Sequence, residues 1–481
     1  MDSKKVLDLF REITKVPRES GHEEQIIAFL QQFARDHSLE CRTDEAGNVV
    51  IIKPASPGCE NVPVIVLQSH SDMVCEKNSG VEHDFSKDPV KYVIEDGWMI
   101  ARDTTLGADC GIGMAAELAV LLDEEPSGRI ECLFTVSEET GLDGAKALKP
   151  GFITGKLLIN LDSEDEGELF VGCAGGVDTT AVFHYGQEPV RPGSGLAKIR
   201  IYNGIGGHSG DDIDKGRANA VQLLFRFLYS HPELQICSLE GGNKRNAIAR
   251  EAEALVAVPG NDIASLAEAV ARYQADLSVE YAAGDPDLKA ELVPAGAPED
   301  GCCAMDGKSA ESIVAAMFAA PHGVLAMSRD IAGLVETSTN LASVRMQGPA
   351  SLRIGTSQRS SVTSERRAAA LKVEAVFRLA GAEVTHESEY PGWKPNMDSR
   401  LLQVCRDSYN RLFGTEPVVR AIHAGLECGL FLDTFPDLDM ISFGPTIRGV
   451  HAPGERLDLV SLDKFVALLS DVIGTYASGR E

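Results

Sequence analysis

The sequence predicts an α/β fold: a largely parallel sheet covered by helices on both faces, interrupted by an inserted α+β domain. Three observations point there. Apolar, β-favouring runs (PVIVLQSH, RIECLFTVSEE, KLLINLDSE, DMISFGP) alternate with helical patterns, the order that builds parallel sheets. The 481 residues exceed one ordinary core, so two domains are expected. Two Pro/Gly-punctuated stretches, YGQEPVRPGSG (185–195) and SEYPGWKPN (388–396), bracket a segment of about 200 residues, enough for a domain of its own. Residues 1–187 and 390–481 are therefore expected to form one discontinuous domain, with 188–389 inserted into it.

The chain opens on an amphipathic helical pattern, with Val6, Leu7, Leu9, Phe10 and Ile13 at helical spacing. CRTDEAGNVVIIKP reads as a hairpin turning at Ala46-Gly47-Asn48, and PVIVLQSH as a buried strand ending at His70. Gly107 to Asp123 reads as a helix entered through small residues. RIECLFTVSEE and KLLINLDSE supply two more strands. In the insert, LAKIRIYNGIGGHSG has strand character and NAVQLLFRFLYSH is helical. KGRANAVQLLFRFLYSHP and KSAESIVAAMFAAPHG are loosely alike, which raises an internal duplication. After the insert come a helix (SRLLQVCRDSYNRLF), an apolar strand (DMISFGP) and a final helix (LDKFVALLSDVIGTYA).

Composition narrows the function classes. A net charge of −27 argues against nucleic acid and against anionic membranes. No run approaches the ~18 apolar residues of a membrane span, and the start has no signal-peptide core. The 11 cysteines are scattered, without a metal-type CxxC. The expectation is reduced thiols in a cytoplasm.

The chemistry gathers at the strand ends. PVIVLQSHSD ends at His70, with Asp72 two residues on; LFTVSEE ends at Glu138 and Glu139; LLINLDSE ends at Asp162. ISFGP is soon followed by His451, and Asp109 sits just before a helix. Singly, His70 also reads as a core histidine, Asp109 as a helix cap, Asp162 as a loop cap and His451 as an ordinary loop residue. Together they matter, because ligands in open α/β sheets collect outside the carboxyl ends of the strands. A mixed nitrogen and oxygen set without thiolate suits zinc, manganese or cobalt. Its size suggests two metals, with an unbound carboxylate free to act as general base. Adjacent residues on an extended chain face opposite ways, so Glu138 and Glu139 are expected to do different jobs.

HSDMV, the isolated Asp109, SEETG, NLDSE and GVHAP, together with GGHSG (206–210) and GGNKRNAIA (241–249), resemble the co-catalytic metallopeptidase family that contains carnosinases and related dipeptidases. IHAGLECGLF (422–431), YPGW and VPRESGHEE resemble, more narrowly, its bacterial aminoacyl-histidine dipeptidase branch. The match runs in order over nearly the whole chain. The resemblance implies that His70 and Asp162 hold one metal, Glu139 and His451 the other, and that Asp109 bridges them. Glu138 would be the general base, and Asp72 would accept a hydrogen bond from the His70 ring. The insert would be a lid, closing on substrate to bring His208 to the oxyanion. Asn246 and Arg359 match substrate-holding positions, with Arg359 paired to a peptide carboxylate. Glu427 would meet a free α-amino group or cap a helix. The lid is larger than in many members, where it also mediates dimerisation, which leaves monomer and homodimer both open.

The function expected is two-metal hydrolysis of unblocked dipeptides, Xaa-His included, with two divalent ions, zinc foremost and manganese or cobalt as alternatives. The expected partners are small peptides and, in a homodimer, a second copy. Two rivals stand beside it: an N-acyl amino acid amidohydrolase or carboxypeptidase on the same fold, and a metal-free binding protein that retained the fold.

Overall fold

The computed structural model of the chain describes every residue except Pro349, Arg480 and Glu481. The chain folds as two compact units: Met1–Gly172, Pro395–Ala421 and Leu426–Glu481 form the first, and Cys173–Lys394 with Ile422–Gly425 the second.

The first unit is built on an eight-stranded sheet. Its centre is four parallel strands in the order Ile130–Thr135, Ile65–His70, Leu157–Asn160, Asp439–Ser442. Their sequences are apolar on both faces and nearly every residue is buried, as a sheet covered on both sides requires. Antiparallel strands flank this centre. Val49–Lys53 pairs with Ile130–Thr135 on one side, and Glu168–Cys173 with Asp439–Ser442 on the other. The expected hairpin is present: Glu40–Thr43 pairs with Val49–Lys53. Asp44 fixes its turn by accepting from the N–H groups of Ala46, Gly47 and Asn48.

Helix Ala108–Leu121 is apolar apart from Asp109 and Glu117, whose carboxylate accepts from Ser69 Oγ, and is buried at every residue but Asp109. The opening helix Ser3–Ile13, capped by Asp2, packs on it through Val6, Phe10 and Ile13. Helix Arg400–Phe413 is capped by Ser399, and the long helix Leu459–Ala477 by Asp458. Among the described residues, no helix is long and apolar enough to cross a membrane.

The second unit is an antiparallel α+β body. Its sheet runs Lys289–Gly296, Gly195–Tyr202, Ala252–Val258, Gln235–Gly242, Val335–Met346, Ser351–Ser360, Gly175–His184, Glu383–Tyr390, with Gly323–Met327 also paired to Val335–Met346. Helices Ala220–Tyr229, Ile263–Glu280, Gly307–Ala319 and Thr363–Leu379 all contribute to one apolar cluster with these strands. The sheet repeats itself about its middle. Reading outward from the Gln235–Gly242/Val335–Met346 pair, each half has a strand that precedes a helix, a strand before its first helix, and an edge strand that follows a helix. The two look-alike segments form the helices Ala220–Tyr229 and Gly307–Ala319, which pack on each other.

The unit boundaries differ from the expected 187/188 and 389/390. Strand Gly175–His184 pairs with Ser351–Ser360 and Glu383–Tyr390, so it belongs to the second unit. The Pro/Gly-rich stretch 185–195 is a connection inside that unit, leading from this strand to Gly195–Tyr202. Turn residues mark reversals of the chain whether or not a domain ends there.

Candidate active site

Parallel pairing puts the carboxyl ends of Ile130–Thr135, Ile65–His70 and Leu157–Asn160 on one edge of the sheet. His70 is the last residue of its strand, Asp162 follows the next, and Glu138 and Glu139 follow the third. Asp109 lies in the first turn of helix Ala108–Leu121, and His451 in the loop after Ile447–Arg448. These residues converge. His70 Nε2 is 3.1 Å from Asp109 Oδ1 and 3.3 Å from Asp162 Oδ1. His451 Nε2 is 3.1 Å from Asp109 Oδ2 and 2.9 Å from Glu139 Oε2. One carboxylate, Asp109, thus faces both imidazoles, one oxygen to each.

Glu138 and Glu139 do not continue the strand. They open a short helix, Glu138–Gly141, so their side chains diverge by about 100° as on any helical turn, and the extended-chain expectation is corrected. Two local causes are visible. Ser137 turns the chain through the left-handed region at φ 52°. Asp72 then accepts from the freed N–H groups of Glu138 (3.1 Å) and Glu139 (3.2 Å), as an N-terminal carboxylate does. The same Asp72 carboxylate lies 3.4 Å from His70 Nδ1 and accepts from Ser20 Oγ at 2.7 Å. It therefore orients His70 and anchors the glutamate pair at once.

Two charged residues that sequence reasoning did not assign hold the rest. The Arg18 guanidinium donates to the carbonyls of Asp72 (2.6 Å), Ser71 (3.3 Å) and Gly107. The Glu455 carboxylate accepts from the N–H groups of Leu106 (2.8 Å), Gly107 (3.0 Å) and Ala108 (2.8 Å). Both are buried, and together they fix the loop that presents Asp109. Small residues make room: a Cβ at Gly107 or Gly111 would come within 2.5 Å of Arg18 Nη2. Arg18 lies in a segment already singled out, VPRESGHEE, and Glu455 two residues past GVHAP, but a lone buried charge has no periodic signature.

The electrostatics are those of crowded acceptors. Burial, with Asp162, Glu427 and Glu139 nearby, pushes the Glu138 carboxyl well up against the opposing pull of His70. Burial and Asp109 raise Asp162 to about 6. Burial would raise Asp109 too, but hydrogen bonds from His451 and His70 hold it well below the usual carboxylate range. His451 rises to about 11 through its hydrogen bonds to Asp109 and Glu139. Burial would raise Asp72, but His70, Ser20 and the Glu138 N–H together bring it down to about 2.

This donor set fits a divalent cation. Asp162 Oδ1 is buried with no hydrogen-bond partner among the described residues. Ligand atoms of His70, Asp109 and Glu139 lie within 4.8 Å of one another, as do those of His70, Asp162 and Cys110. Cys110 was not among the expected ligands. Burial keeps its thiol protonated, and Sγ donates to the Leu161 carbonyl at 3.3 Å. Two imidazoles and three carboxylates remain, a set suited to a borderline cation.

The residues expected to hold substrate divide between the units. In the second, Ser209 N donates to Asn246 O at 2.8 Å, and Arg359 Nε lies 3.4 Å from Ser209 Oγ, so both adjoin the His208 loop. His208 Nδ1 lies 3.3 Å from Gly210 N. Arg359 is buried and donates to Tyr390 Oη at 3.0 Å. His423, unassigned from the sequence, is buried nearby with Nε2 2.7 Å from Ser338 Oγ. In the first unit, Glu427 opens helix Glu427–Thr434 and is buried. Its Oε2 accepts from Gln68 Nε2 (2.6 Å) and Thr135 Oγ1 (2.8 Å).

A parallel sheet whose strand ends converge in histidines and carboxylates, one of them shared, defines a metallopeptidase class of site. Residues 66–475 match Peptidase family M20/M25/M40, and the chain belongs to that family of hydrolases acting on peptide bonds. Among its relatives, the cytosol non-specific dipeptidase of Escherichia coli (strain K12) is 40% identical over 470 residues, 97% of this chain and 96% of that one. The crystal structure of the aminoacylhistidine dipeptidase from Vibrio alginolyticus matches with a TM-score of 0.92 at 37% identity, over 98% of this chain and 96% of that one. The aminopeptidase PepT from Bacillus cereus ATCC 10987 shares the fold at 18% identity, with a TM-score of 0.59 over 99% of each chain.

Proposed function

We propose that this chain is a cytoplasmic dipeptidase that hydrolyses unblocked dipeptides, Xaa-His among them, with two divalent metal ions, zinc first among the candidates. The observation that carries the reading is the Asp109 carboxylate, with one oxygen 3.1 Å from each of His70 and His451. His70 and Asp162 would hold one ion, Glu139 and His451 the other, and Asp109 both. When bound, the ions supply Lewis acidity to the scissile carbonyl and to the attacking water.

The chain's own residues do the rest. Glu138, committed to no histidine and lifted in pKa by its buried surroundings, takes a proton from the attacking water and returns it to the leaving amine. Asp72 keeps the His70 ring oriented, with the ligating nitrogen unprotonated. His208 donates to the developing oxyanion. Arg359 pairs with the substrate carboxylate through its forked donors, and Asn246 helps to hold the substrate.

The names of the Escherichia coli and Vibrio alginolyticus relatives support the dipeptide substrate, and that of the Escherichia coli relative the cytoplasmic location. The test compares a dipeptide with its N-acetylated form on metal-free protein reloaded with zinc, manganese or cobalt in turn. Hydrolysis confined to the free-amine form is expected. Preference for the acetylated form would favour an amidohydrolase instead, and no turnover with any metal would favour a binding protein.

A further inference from the structure

Beneath the converging ligands, the four parallel strands each place one polar residue in a buried row: Thr135, Gln68, Asn160 and Ser442. In apolar strands such residues are expected to be hydrogen-bonded, and these bond mainly to one another. Register sets Gln68 opposite Asn160 and Asn160 opposite Ser442. The bonds run in one direction. Ser442 Oγ donates to Asn160 Oδ1 at 2.5 Å, Asn160 Nδ2 to Gln68 Oε1 at 2.6 Å, and Gln68 Nε2 to Glu427 Oε2 at 2.6 Å. Thr135 Oγ1 ends on the same Glu427 oxygen at 2.8 Å.

We propose that Glu427 is a positioning residue whose carboxylate sets the direction of this ladder and so holds His70 and Asp162 in metal-binding geometry. The reasoning is one of donors and acceptors. Glu427 Oε2 only accepts, so Gln68 must turn its NH₂ toward it and its carbonyl toward Asn160. Asn160 must then present NH₂ to Gln68, which leaves Oδ1 facing Ser442 and the N–H of Asp162, 3.3 Å away. Ser442 Oγ lies 2.6 Å from Ser163 Oγ, next to Asp162 on its other side. Gln68 and Asn160 each stand two residues before a ligand, His70 and Asp162. Reversing Gln68 would set its NH₂ against that of Asn160, and reversing Asn160 would aim NH₂ at the Asp162 N–H, donor against donor in each case. Burial raises Glu427 to about 8. Protonation at Oε1, which has no partner among the described residues, leaves the ladder's direction unchanged.

The inference rests on His70 and Asp162 being metal ligands, and the test separates the two. Metal retention against a chelator, kcat and KM are measured on the loaded enzyme for Glu427→Met, Gln68→Met and Asp162→Asn, with thermal midpoints recorded alongside. Glu427→Met keeps much of the volume but removes the acceptor that Gln68 and Thr135 donate to. The expected result is a 10–100-fold loss of metal affinity, the usual range for groups that orient ligands. The fall in kcat should be partly rescued by excess metal, with KM little changed and the thermal midpoint of the loaded form near wild type. Gln68→Met, which cuts the ladder one step on, should match it and serves if Glu427→Met does not fold. Wild-type metal retention in these variants, with Asp162→Asn losing metal, would overturn the ladder alone. Full retention in Asp162→Asn would overturn the ligand reading beneath it. A rise in KM confined to free-amine substrates, with metal affinity intact, would overturn positioning and assign Glu427 to the substrate's ammonium.

Discussion

Glu138 and Glu139 share one helical turn yet meet different surroundings. Glu139 lies 2.9 Å from His451, while Glu138 pairs with no histidine and is pushed up by burial and neighbouring carboxylates. A carboxylate committed to a cation is a poor base, so the two substitutions should separate. Glu138→Gln is expected to keep its metal and lose kcat by ~10²–10⁴-fold. Glu139→Gln should lose metal, as read by metal analysis after gel filtration. A second expectation concerns protons. His451, raised to about 11 between Asp109 and Glu139, keeps its proton at neutral pH when metal is absent. Metal must displace that proton, so binding releases protons and weakens as pH falls. Calorimetric titration of metal-free protein with zinc, in two buffers of different ionisation enthalpy near pH 7, should show the release, and His451→Ala should show less. The ligand candidates were legible because each follows a strongly patterned strand or precedes a helix. Arg18, Glu455 and the polar ladder were not assigned, although Gln68 and Asn160 interrupt apolar runs where a buried polar side chain calls for a partner.

Helix Ala108–Leu121 shows what an element contributes to the site. Its small residues admit the Arg18 guanidinium, which holds Gly107 and hence the approach to Asp109. A Cβ at Gly111 would lie 2.5 Å from Arg18 Nη2 and 2.9 Å from Phe10 Cε2. Gly111→Ala is therefore expected to destabilise the fold by about 1–3 kcal/mol through overpacking, although alanine is the better helix former. Urea unfolding with metal absent measures it, and stability equal to wild type would show that Arg18 shifts without cost. The small-residue entrance could be read from GADCGIG, but the arginine it accommodates is remote in sequence and could not. The hairpin and the long helices were legible through period and caps. The Glu138 helix was not, since its cause is a left-handed Ser137 and an acceptor just past the end of another strand.

At the scale of the molecule, every proposed metal ligand lies in the first unit and His208 in the second. His208→Ala is expected to bind metal normally and lose kcat by roughly 10²–10³-fold, the cost of one oxyanion donor. If His208 serves its own chain, mixing His208→Ala with Glu138→Gln restores no activity. Recovery on mixing would show that a partner's histidine is used. We expect no recovery, because the second unit carries two halves of like topology in one chain. The discontinuous order of the units was legible from strand order and length. Their junctions were not, because prolines and glycines also punctuate the connection after Gly175–His184.

Among the described residues, the long sheet of the second unit ends in two strands paired along one side only, Lys289–Gly296 and Glu383–Tyr390. Open edges invite a stranger's backbone to add on, the first step toward precipitates and fibrils. Each edge here is written to refuse it. Lys289–Gly296 carries Lys289 at its start and Pro294, which has no N–H to offer, near its end. Glu383–Tyr390 is largely exposed and sets Glu383, Glu387 and Glu389 along its length. A second molecule that approached edge-on would meet charge and a missing donor, and with a net charge of −27 it would be repelled before it arrived. Both edges of the long, open-ended sheet thus carry features that oppose edge-to-edge addition.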